Sequence, residues 1–463
     1  MKMGNRFLAI FLIASIFLTL GFGCKGLSTA EVAATKPVTL EMWTSYDDVD
    51  ALQGILTKYR ALRPYLKVNI RQMSPSDMYT RLVEELAEDR GPDIISINSR
   101  TLGLYVSKLS ALPPTAKDIT VLVEKGTLGT NTTVSEHTVN LPTAAQIDDN
   151  FVQAVGKSVV RGGSAYGLPL SLDTMAIYYN KDLLDRSGVP EPPKTWDDFQ
   201  VAAKKITKYN RADNSIIQAG AALGTGNNVP NSDDLLYILL KQSDIDFTSR
   251  SGQAVFNMPP SGNRREEPPA VSVINFYTDF ANPGRDTYSW SENMPNALDA
   301  FVNGQVGFFF GFSYYNSIIR GRAPQLNYRI LPLLQLNPDK PVNAANFSML
   351  SVVNKSKNKD AAFALIQYLT YSEATKDYLA ATKRPTAVRS LIAAQKEDAS
   401  LEPFVSQVLV AESWYTGSNY SAATKALVDM FHEWLLPPPD PNRPEQWRGD
   451  VLNRAAAKIN QTI

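Results

Sequence analysis

The spacing of apolar residues in the first part of the chain predicts an α/β fold. Apolar residues alternate in short extended runs and recur every three or four positions in the segments between them. The predicted order is strand, helix, strand, helix, strand, over residues 38–43, 47–63, 66–70, 77–87 and 92–97. This order is typical of a mostly parallel sheet flanked by helices, which binds ligands beyond the carboxyl ends of its strands.

The middle of the chain has two contrasting segments. Residues 110–165 lack a clear period, and we predict loops there, with short helical pieces near 115–125 and 148–157. Residues 167–180 form a long run of alternating apolar residues, which suits a strand that crosses between two parts of the molecule.

The remaining elements show the same two spacings of apolar residues, which are alternate positions in strands and every third or fourth position in helices. Thr195 is predicted to open a helix, with Asp198 as its capping partner. Further helices are predicted over 232–241, 270–280, 296–302, 359–370, 391–394, 403–412, 422–435 and 445–458, and further strands over 306–310 and 328–334.

The first 24 residues have the pattern of an export signal. Lys2 and Arg6 precede an uncharged, mostly apolar run over residues 7–23. Cys24 follows directly and resembles the cysteine of a bacterial lipobox, so we expect it to be lipidated as the first residue of the mature chain. An ordinary signal peptide and an uncleaved anchor helix stay open as alternatives. The protein is therefore expected outside the cytoplasm and anchored to a membrane, with residues 24–37 as a flexible tether.

Composition excludes several classes of function. The 463 residues exceed the size at which one hydrophobic core stops growing, about 250–300 residues. Lys+Arg and Asp+Glu are 46 each, so the balanced charge does not favour nucleic acid as a partner. With one cysteine and two histidines, a zinc site or a histidine-based catalytic triad is hard to build, and we expect no metal and no cofactor.

A block of motifs carries a family resemblance. The block consists of Gly167-Leu168-Pro169, Asp173-Thr174 and residues 177–183, 188–190 and 192–199. It resembles the hallmark of family 1 extracellular solute-binding proteins, the maltose-binding-protein-like group. Weaker matches lie at residues 91–95, 301–307, 346–347, 356–362 and 383–385.

This resemblance implies an α/β, two-lobe type II periplasmic-binding fold that closes by hinge motion. By position, the N-terminal lobe would take residues 38–171 and 333–382, and the C-terminal lobe residues 172–332 and 383–463. The resemblance also implies a monomeric, non-enzymatic protein that captures a carbohydrate between the lobes and delivers it to the permease of an ABC importer.

Polar candidates for the site follow from the needs of sugar hydroxyls, which are hydrogen-bond donors and acceptors. The resemblance places a ligand-binding acidic residue at Asp173, for which a turn cap is the alternative. Asp47 and Asp48 follow the first strand, where helix capping is the safer interpretation for both and binding of hydroxyls by one of them is the alternative. The other candidates are Asn98 and Ser99 after the third strand and, near the hinge, Asn346 and Arg384, of which Arg384 also suits an ion pair between lobes.

Aromatic candidates would stack on the apolar faces of sugar rings. Trp43 ends the first strand and fits either the ligand edge or the core. Trp290 lies between serines in a predicted loop. The family often has a stacking tryptophan where this chain has Phe312, Tyr314 and Tyr315, and Tyr314 is the best placed of the three.

Other functions stay open at this point. The same fold suits a polyamine, a sugar phosphate or a peptide, and it also suits a sensor. A glycoside hydrolase would need two carboxyl groups facing each other across a cleft, and Asp173 alone fits that role.

Overall fold

A computed structural model describes residues 28–45, 47–126, 129–249, 251–259 and 266–463. The predicted export signal and Cys24 lie outside the described residues. The structure confirms the α/β class, and the two lobes each contain a five-stranded sheet.

The strands alternate with helices along most of the chain. In order they are β1 (Val38–Thr44), β2 (Leu66–Gln72), β3 (Ile94–Asn98), β4 (Thr115–Gly126), β5 (Gly129–Asn140), β6 (Val160–Arg161), β7 (Ser164–Ala165), β8 (Leu168–Pro169), β9 (Asp173–Thr174), β10 (Ala176–Asn180), β11 (Lys208–Tyr209), β12 (Ile216–Ala221), β13 (Val306–Gly311), β14 (Tyr328–Pro332), β15 (Asn343–Asn346), β16 (Ser348–Val352) and β17 (Ala411–Glu412).

The helices are α1 (Thr29–Ala34), α2 (Val49–Ala61), α3 (Pro75–Ala87), α4 (Leu102–Tyr105), α5 (Ala144–Asn150), α6 (Gln153–Val159), α7 (Lys181–Arg186), α8 (Trp196–Ile206), α9 (Ser232–Gln242), α10 (Ala270–Asp279), α11 (Ala297–Val302), α12 (Tyr314–Arg322), α13 (Lys359–Tyr371), α14 (Glu373–Thr382), α15 (Ile392–Lys396), α16 (Glu402–Val405), α17 (Tyr420–Leu435) and α18 (Pro444–Asn460). Short 3-10 turns lie at Ser99–Thr101, Val106–Lys108 and Arg389–Leu391.

The first lobe is built on the sheet β2-β1-β3-β16-β8. As predicted, β1 runs parallel to β2 and β3, whereas β16 is antiparallel to both of its neighbours. The strands contribute Leu40 and Ile95 to a core that also contains Leu52, Leu82 and Phe363 from α2, α3 and α13. Because helices cover the sheet, its strands are rich in buried apolar residues.

The second lobe is built on the sheet β11-β12-β13-β10-β14. Its central strand β13 is buried along its whole length and pairs parallel to β12 and antiparallel to β10. The ring of Trp196 on α8 stacks on Phe310 with 6.1 Å between centroids, and Phe199 packs against Phe308 at 4.9 Å. The predicted capping box is confirmed, since Thr195 Oγ1 accepts from the N–H of Asp198.

The predicted crossing strand is confirmed in its extended course but divides into three parts. β8 belongs to the first-lobe sheet and β10 to the second-lobe sheet. Between them, β9 pairs antiparallel with β15, which pairs in turn with β17. We call β9, β15 and β17 the hinge sheet, because it lies between the sheets of the two lobes.

Asn343 on β15 is fully buried and joins these crossings. Its Nδ2 donates to the carbonyl of Met175 at 2.9 Å and to Oε1 of Gln407 at 2.8 Å. Its Oδ1 accepts from the N–H of Met175 at 2.9 Å. The amide therefore pairs backbone groups that neither large sheet reaches, which burial otherwise makes costly.

The later part of the chain returns to the first lobe before it ends in the second. Ala387, Ile392 and Val408 pack in the first-lobe core, whereas Leu427 and Phe431 on α17 pack in the second. The lobe boundaries predicted from the sequence stay a prediction, and this packing favours an extension of the first lobe to about residue 411.

The region 110–165 corrects the sequence-based prediction. Residues 115–125 are not helical, because β4 pairs antiparallel with β5 in register from Thr115↔Asn140 to Gly126↔Gly129. This long hairpin is attached to the first lobe by Arg63, whose Nε donates to Oδ1 of Asp118 at 2.8 Å. The helical piece near 148–157 is two helices, α5 and α6, separated at Phe151 and Val152.

Three further differences concern short segments. The predicted tether contains α1, which has a capping box between Ser28 and Glu31. The helix predicted over 403–412 is only the short α16, Glu402–Val405, and Ala411–Glu412 joins the hinge sheet as β17. The sequence prediction also missed α14, which continues almost directly from α13.

Two features are absent from the described ranges. No helix there is both long and apolar enough to span a bilayer. Nor do His, Cys, Asp and Glu side chains come together there in a group of three or more that suits a metal ion.

The ion pair that attaches the hairpin gives a testable prediction. Replacing Asp118→Asn should lower the free energy of unfolding by about 3 kcal/mol, because it leaves the buried guanidinium of Arg63 without its counter-charge. The measurement is urea unfolding followed by circular dichroism.

Lys117→Gln is the control, because it removes an exposed ion pair to Glu136 on the same hairpin. Its effect should stay within about 0.5 kcal/mol. Equal losses in the two variants would contradict a structural role for the buried pair.

Candidate functional site

A cleft of about 590 Å³ lies between the lobes, at the carboxyl ends of β1 and β3. Both lobes and the hinge sheet contribute to its walls. Its lining residues are Ser45, Asp47, Gln72, Asn98, Arg100, Ser171, Asp173, Asn231, Tyr314, Tyr315, Ser317, Ile318, Asn346, Phe347, Ser348, Arg384 and Tyr420. The position agrees with the rule that ligands of parallel sheets bind beyond the strand ends.

The first-lobe wall is formed by residues that follow two adjacent strands. Asp47 follows β1, and its Oδ2 accepts from Oγ1 of Thr44 at 2.6 Å. Asn98 ends β3, and its Nδ2 donates to Oδ1 of Asn346 on the hinge sheet at 2.7 Å. These bonds fix the orientation of a carboxylate and of two amides at the cleft.

The floor of the cleft contains Asp173 on β9, directly opposite Asn346 in the strand pair. Oδ1 of Asp173 accepts from the backbone N–H of Ser313 at 3.2 Å and from the Ser313 hydroxyl. Burial raises the pKa of Asp173, and the nearby charge of Arg384 offsets this only in part. The carboxyl group is therefore held in place by the second lobe while it borders the cleft.

Arg384 reaches the cleft from the end of α14. Lys383 before it adopts a left-handed conformation (φ 53°), which ends the helix. The side-chain amide of Gln395 donates to the Arg384 carbonyl at 3.0 Å and accepts from the N–H of Thr386 at 2.7 Å. Although burial opposes its charge, Tyr378 and the carboxylates of Asp173, Asp47 and Asp48 together raise the pKa of Arg384.

The second-lobe wall has an aromatic surface at the start of α12. The rings of Tyr314 and Tyr315 lie 4.4 Å apart between centroids. Behind them, Phe312 lies nearly parallel to Tyr314 at 6.0 Å. Nδ2 of Asn231 donates to the Tyr315 hydroxyl at 3.3 Å. Tyr314 is half-buried, so part of its ring is available to the cleft.

The cleft brings together more than half of the residues singled out from the sequence. Those that line it are Asp47, Asn98, Asp173, Tyr314, Tyr315, Asn346 and Arg384. They come from segments up to 337 positions apart, and the crossings of the chain between the lobes bring them to one place.

The two predicted tryptophans do not line the cleft, which corrects the sequence interpretation. Trp43 is 4% exposed and packs in the first-lobe core, the alternative left open for it. Trp290 is fully buried, and its Nε1 donates to Oδ1 of Asn228 at 3.0 Å. The neighbouring Ser289 hydroxyl donates to the carbonyl of Ala221, so polar neighbours in the sequence did not mean exposure.

Three more candidates lie near the cleft without lining it. Asp48 caps α2 through Oδ1, which accepts from the N–H of Ala51 at 2.9 Å. Ser99 is buried, and its backbone N–H donates to the carbonyl of Phe347 at 3.0 Å. Phe312 is fully buried and supports the tyrosines from behind.

Sequence reasoning missed several lining residues, above all Arg100, Asn231 and Tyr420. Arg100 follows Asn98 and Ser99 in the same strand-end loop, so its place after a strand was a usable signal. Asn231 and Tyr420 begin helices far from any motif, and no pattern in the sequence indicated them.

The pKa values of Asp173, near Arg384, and Asp398, near Lys383, should be shifted in opposite directions. Bonds from Ser400 and Lys383 lower the pKa of Asp398 to about 2, whereas burial raises that of Asp173 above the ordinary value of 3.8. The ionised Asp398 should therefore stabilise the fold at pH values above its ordinary pKa, and this stabilisation should be lost as the pH falls toward 2. For Asp173 the sign is opposite, so its contribution to the free energy of unfolding should fall as the pH rises through its raised pKa.

The measurement is a carboxyl ¹³C NMR titration of aspartate-labelled protein, with Asp398→Asn and Asp173→Asn to assign the two signals. Equal pKa values, or the reverse order, would contradict the burial of Asp173 at the floor of the cleft.

Known proteins share this architecture. The crystal structure of the cyclic α-maltosyl-1,6-maltose binding protein from Arthrobacter globiformis superposes with a TM-score of 0.68 at 18% identity, covering 92% of this chain and 99% of that one. At 18% identity, the match shows that the two proteins share a fold.

Curated relatives are similarly distant. A protein of Brucella abortus (strain 2308) named as a binding protein is 24% identical over 270 residues, 56% of this chain and 58% of its own length. The chain thus spans somewhat more than half the length of this relative. The galactooligosaccharide-binding protein of Bacillus subtilis (strain 168) is 21% identical over 446 residues, 94% of this chain and 91% of its own length.

The family assignment rests on a longer match. Residues 43–376 match the family described as bacterial extracellular solute-binding protein, a range that includes most of the cleft residues. The resemblance noted in the sequence is confirmed, and a family of binding proteins agrees with the expected non-enzymatic role. The chain belongs to the bacterial extracellular solute-binding protein family.

Proposed function

We propose that the chain binds a carbohydrate in the cleft between its lobes. The observation that favours this most is the pairing of an aromatic surface, Tyr314 and Tyr315, with carboxylate, amide and guanidinium groups on the facing walls. A sugar ring has an apolar face that stacks on an aromatic ring and a rim of hydroxyls that donate and accept hydrogen bonds.

The polar groups suit a neutral ligand with many hydroxyls. Asp47 and Asp173 accept hydrogen bonds, Arg384 donates them, and Asn98 and Asn346 do both. The cleft is lined by two carboxylates, of Asp47 and Asp173, and by two guanidinium groups, of Arg100 and Arg384, so its charges balance. This balance favours neither a polyamine nor a sugar phosphate. A cleft of about 590 Å³ lies within the usual range for small-molecule sites, about 300–1,000 Å³.

The names of similar proteins point the same way. The relative from Bacillus subtilis is named for galactooligosaccharides, and the Arthrobacter structure for a cyclic maltosyl saccharide. These names describe those proteins, and they make a saccharide the first ligand class to test for this one.

We place the chain outside the cytoplasm, anchored through Cys24, where it delivers its ligand as a monomer to the permease of an ABC importer. The support is the signal-like pattern of residues 1–24, with the only cysteine at its end, and the extracellular character of the family. Binding would select the closed arrangement of the lobes, because only there do both walls contact the ligand.

A thermal-shift screen tests the ligand class. The purified protein is heated with mono-, di- and oligosaccharides, polyamines and sugar phosphates in parallel. A saccharide at 100 times its Kd should stabilise the fold by about 2.7 kcal/mol and raise the melting temperature. A shift with polyamines or sugar phosphates alone would assign another ligand class to the same fold.

Two variants connect the shift to the cleft. Tyr314→Ala and Asp173→Asn should each weaken saccharide binding roughly tenfold or more, through a lost stacking surface and a lost charged acceptor. Tyr209→Ala is the matched control, since Tyr209 stacks on Tyr288 on the surface of the same lobe. If all three variants bound equally well, the saccharide would not occupy this cleft.

A further inference from the structure

A buried ion pair joins the two lobes beside the cleft. Arg100 lies in the turn after β3 of the first lobe, and Asp234 lies in the first turn of α9 in the second. Nη2 of Arg100 donates to Oδ1 of Asp234 at 2.6 Å, and Nη1 donates to Oδ2 at 3.0 Å. The side chains are 3% and 0% exposed, so this bidentate pair is shielded from solvent.

The same guanidinium contacts two further parts of the molecule. Its Nη1 donates to the hydroxyl of Tyr420 on α17 at 2.7 Å, and its Nη2 donates to the carbonyl of Ala345 on the hinge sheet at 2.8 Å. The Tyr420 hydroxyl donates in turn to Oδ2 of Asp233 at 2.7 Å. Arg100 thus connects the first lobe, the hinge sheet and the second lobe through one planar group.

The backbones of the two lobes also touch next to this pair. A Cβ atom on Gly103 of α4 would lie 2.2 Å from the carbonyl oxygen of Gly417, so only glycine fits there. Gly417 follows Trp414 and Tyr415, which pack in the second-lobe core. The lobes are therefore in close contact here through their own atoms, with nothing between them.

Breaking this contact has a high energetic cost. Burial raises the pKa of Asp234 even though Arg100 acts in the opposite direction, which reflects how unfavourable its charge would be without a partner. A hinge rotation that separated the lobes here would have to hydrate both charges and open several hydrogen bonds together.

We propose that Arg100, Asp234 and Tyr420 form a latch that holds the lobes in this mutual orientation when no ligand is bound. The proposal does not depend on the ligand class, because the latch consists of protein groups alone. Ligand then binds mainly to lobes that are already close together, so the fraction of latched molecules sets the apparent affinity. The three latch residues are positioning residues for the two walls of the cleft.

Small-angle X-ray scattering of the full-length, ligand-free protein tests the latch. Asp234→Asn leaves the Arg100 charge buried without a counter-charge, and opening the lobes gives that charge access to water. We expect the radius of gyration to rise by on the order of 1 Å above the roughly 23 Å predicted for a compact chain of this length.

Asp118→Asn is the matched control, because it breaks a largely buried arginine–aspartate pair, with each side chain 10% exposed, that lies wholly within the first lobe. It should lower the melting temperature and leave the radius unchanged. If Asp234→Asn also lowered the melting temperature without changing the radius, the pair would contribute only to stability and the latch would be refuted.

Tyr420→Phe provides a second, milder variant in case Asp234→Asn does not fold. It removes the hydroxyl between Arg100 and Asp233 and keeps the ring. A smaller increase in radius supports the latch, and a radius equal to that of the wild type refutes it. Since no ligand is added, a failed saccharide screen has no bearing on either result.

Discussion

The structure depends on one constraint, which is that a chain with two hydrophobic cores must cross between them without leaving backbone polar groups unpaired. Asn343 meets this requirement by bonding both the N–H and the carbonyl of Met175 and the side chain of Gln407. Because the hinge sheet is fixed in this way, Asp173 and Asn346 lie opposite each other at the floor of the cleft. The site is thus a consequence of how the crossings are paired, and the walls are added by the ends of ordinary strands and helices.

Much of the fold could be predicted from the sequence, because its determinants are local. The spacing of apolar residues placed β1, α2, β2, α3 and β3, and the alternating run at 167–180 marked the crossing. Residues that directly follow strands, such as Asp47 and Asn98, were also found, since the carboxyl ends of parallel strands meet at one edge. Asp173 was found through its family motif, which is a different kind of information from periodicity.

The features that escaped prediction depend on contacts between distant segments. Residues 115–125 look like a helix only when their partner strand, Gly129–Asn140, is ignored. Trp290 has polar neighbours in the sequence but apolar neighbours in space. The role of Arg100 as an ion-pair partner is apparent only in the structure, where Asp234 lies beside it. An ion pair of residues 134 positions apart leaves no periodic trace in a single sequence.

The hairpin of β4 and β5 has an implication for how such a lobe can vary in length. Its first and last residues, Thr115 and Asn140, are strand partners, so the chain leaves the first lobe and returns to it at one point. Neither five-stranded sheet includes the hairpin. The segment is therefore an insertion whose two ends are adjacent. Because of this, it can lengthen or shorten by pairs of residues without shifting the register of any strand that shapes the cleft. The binding surface of this protein comes from many separate segments, and the hairpin is a place where changes in chain length leave those segments in position.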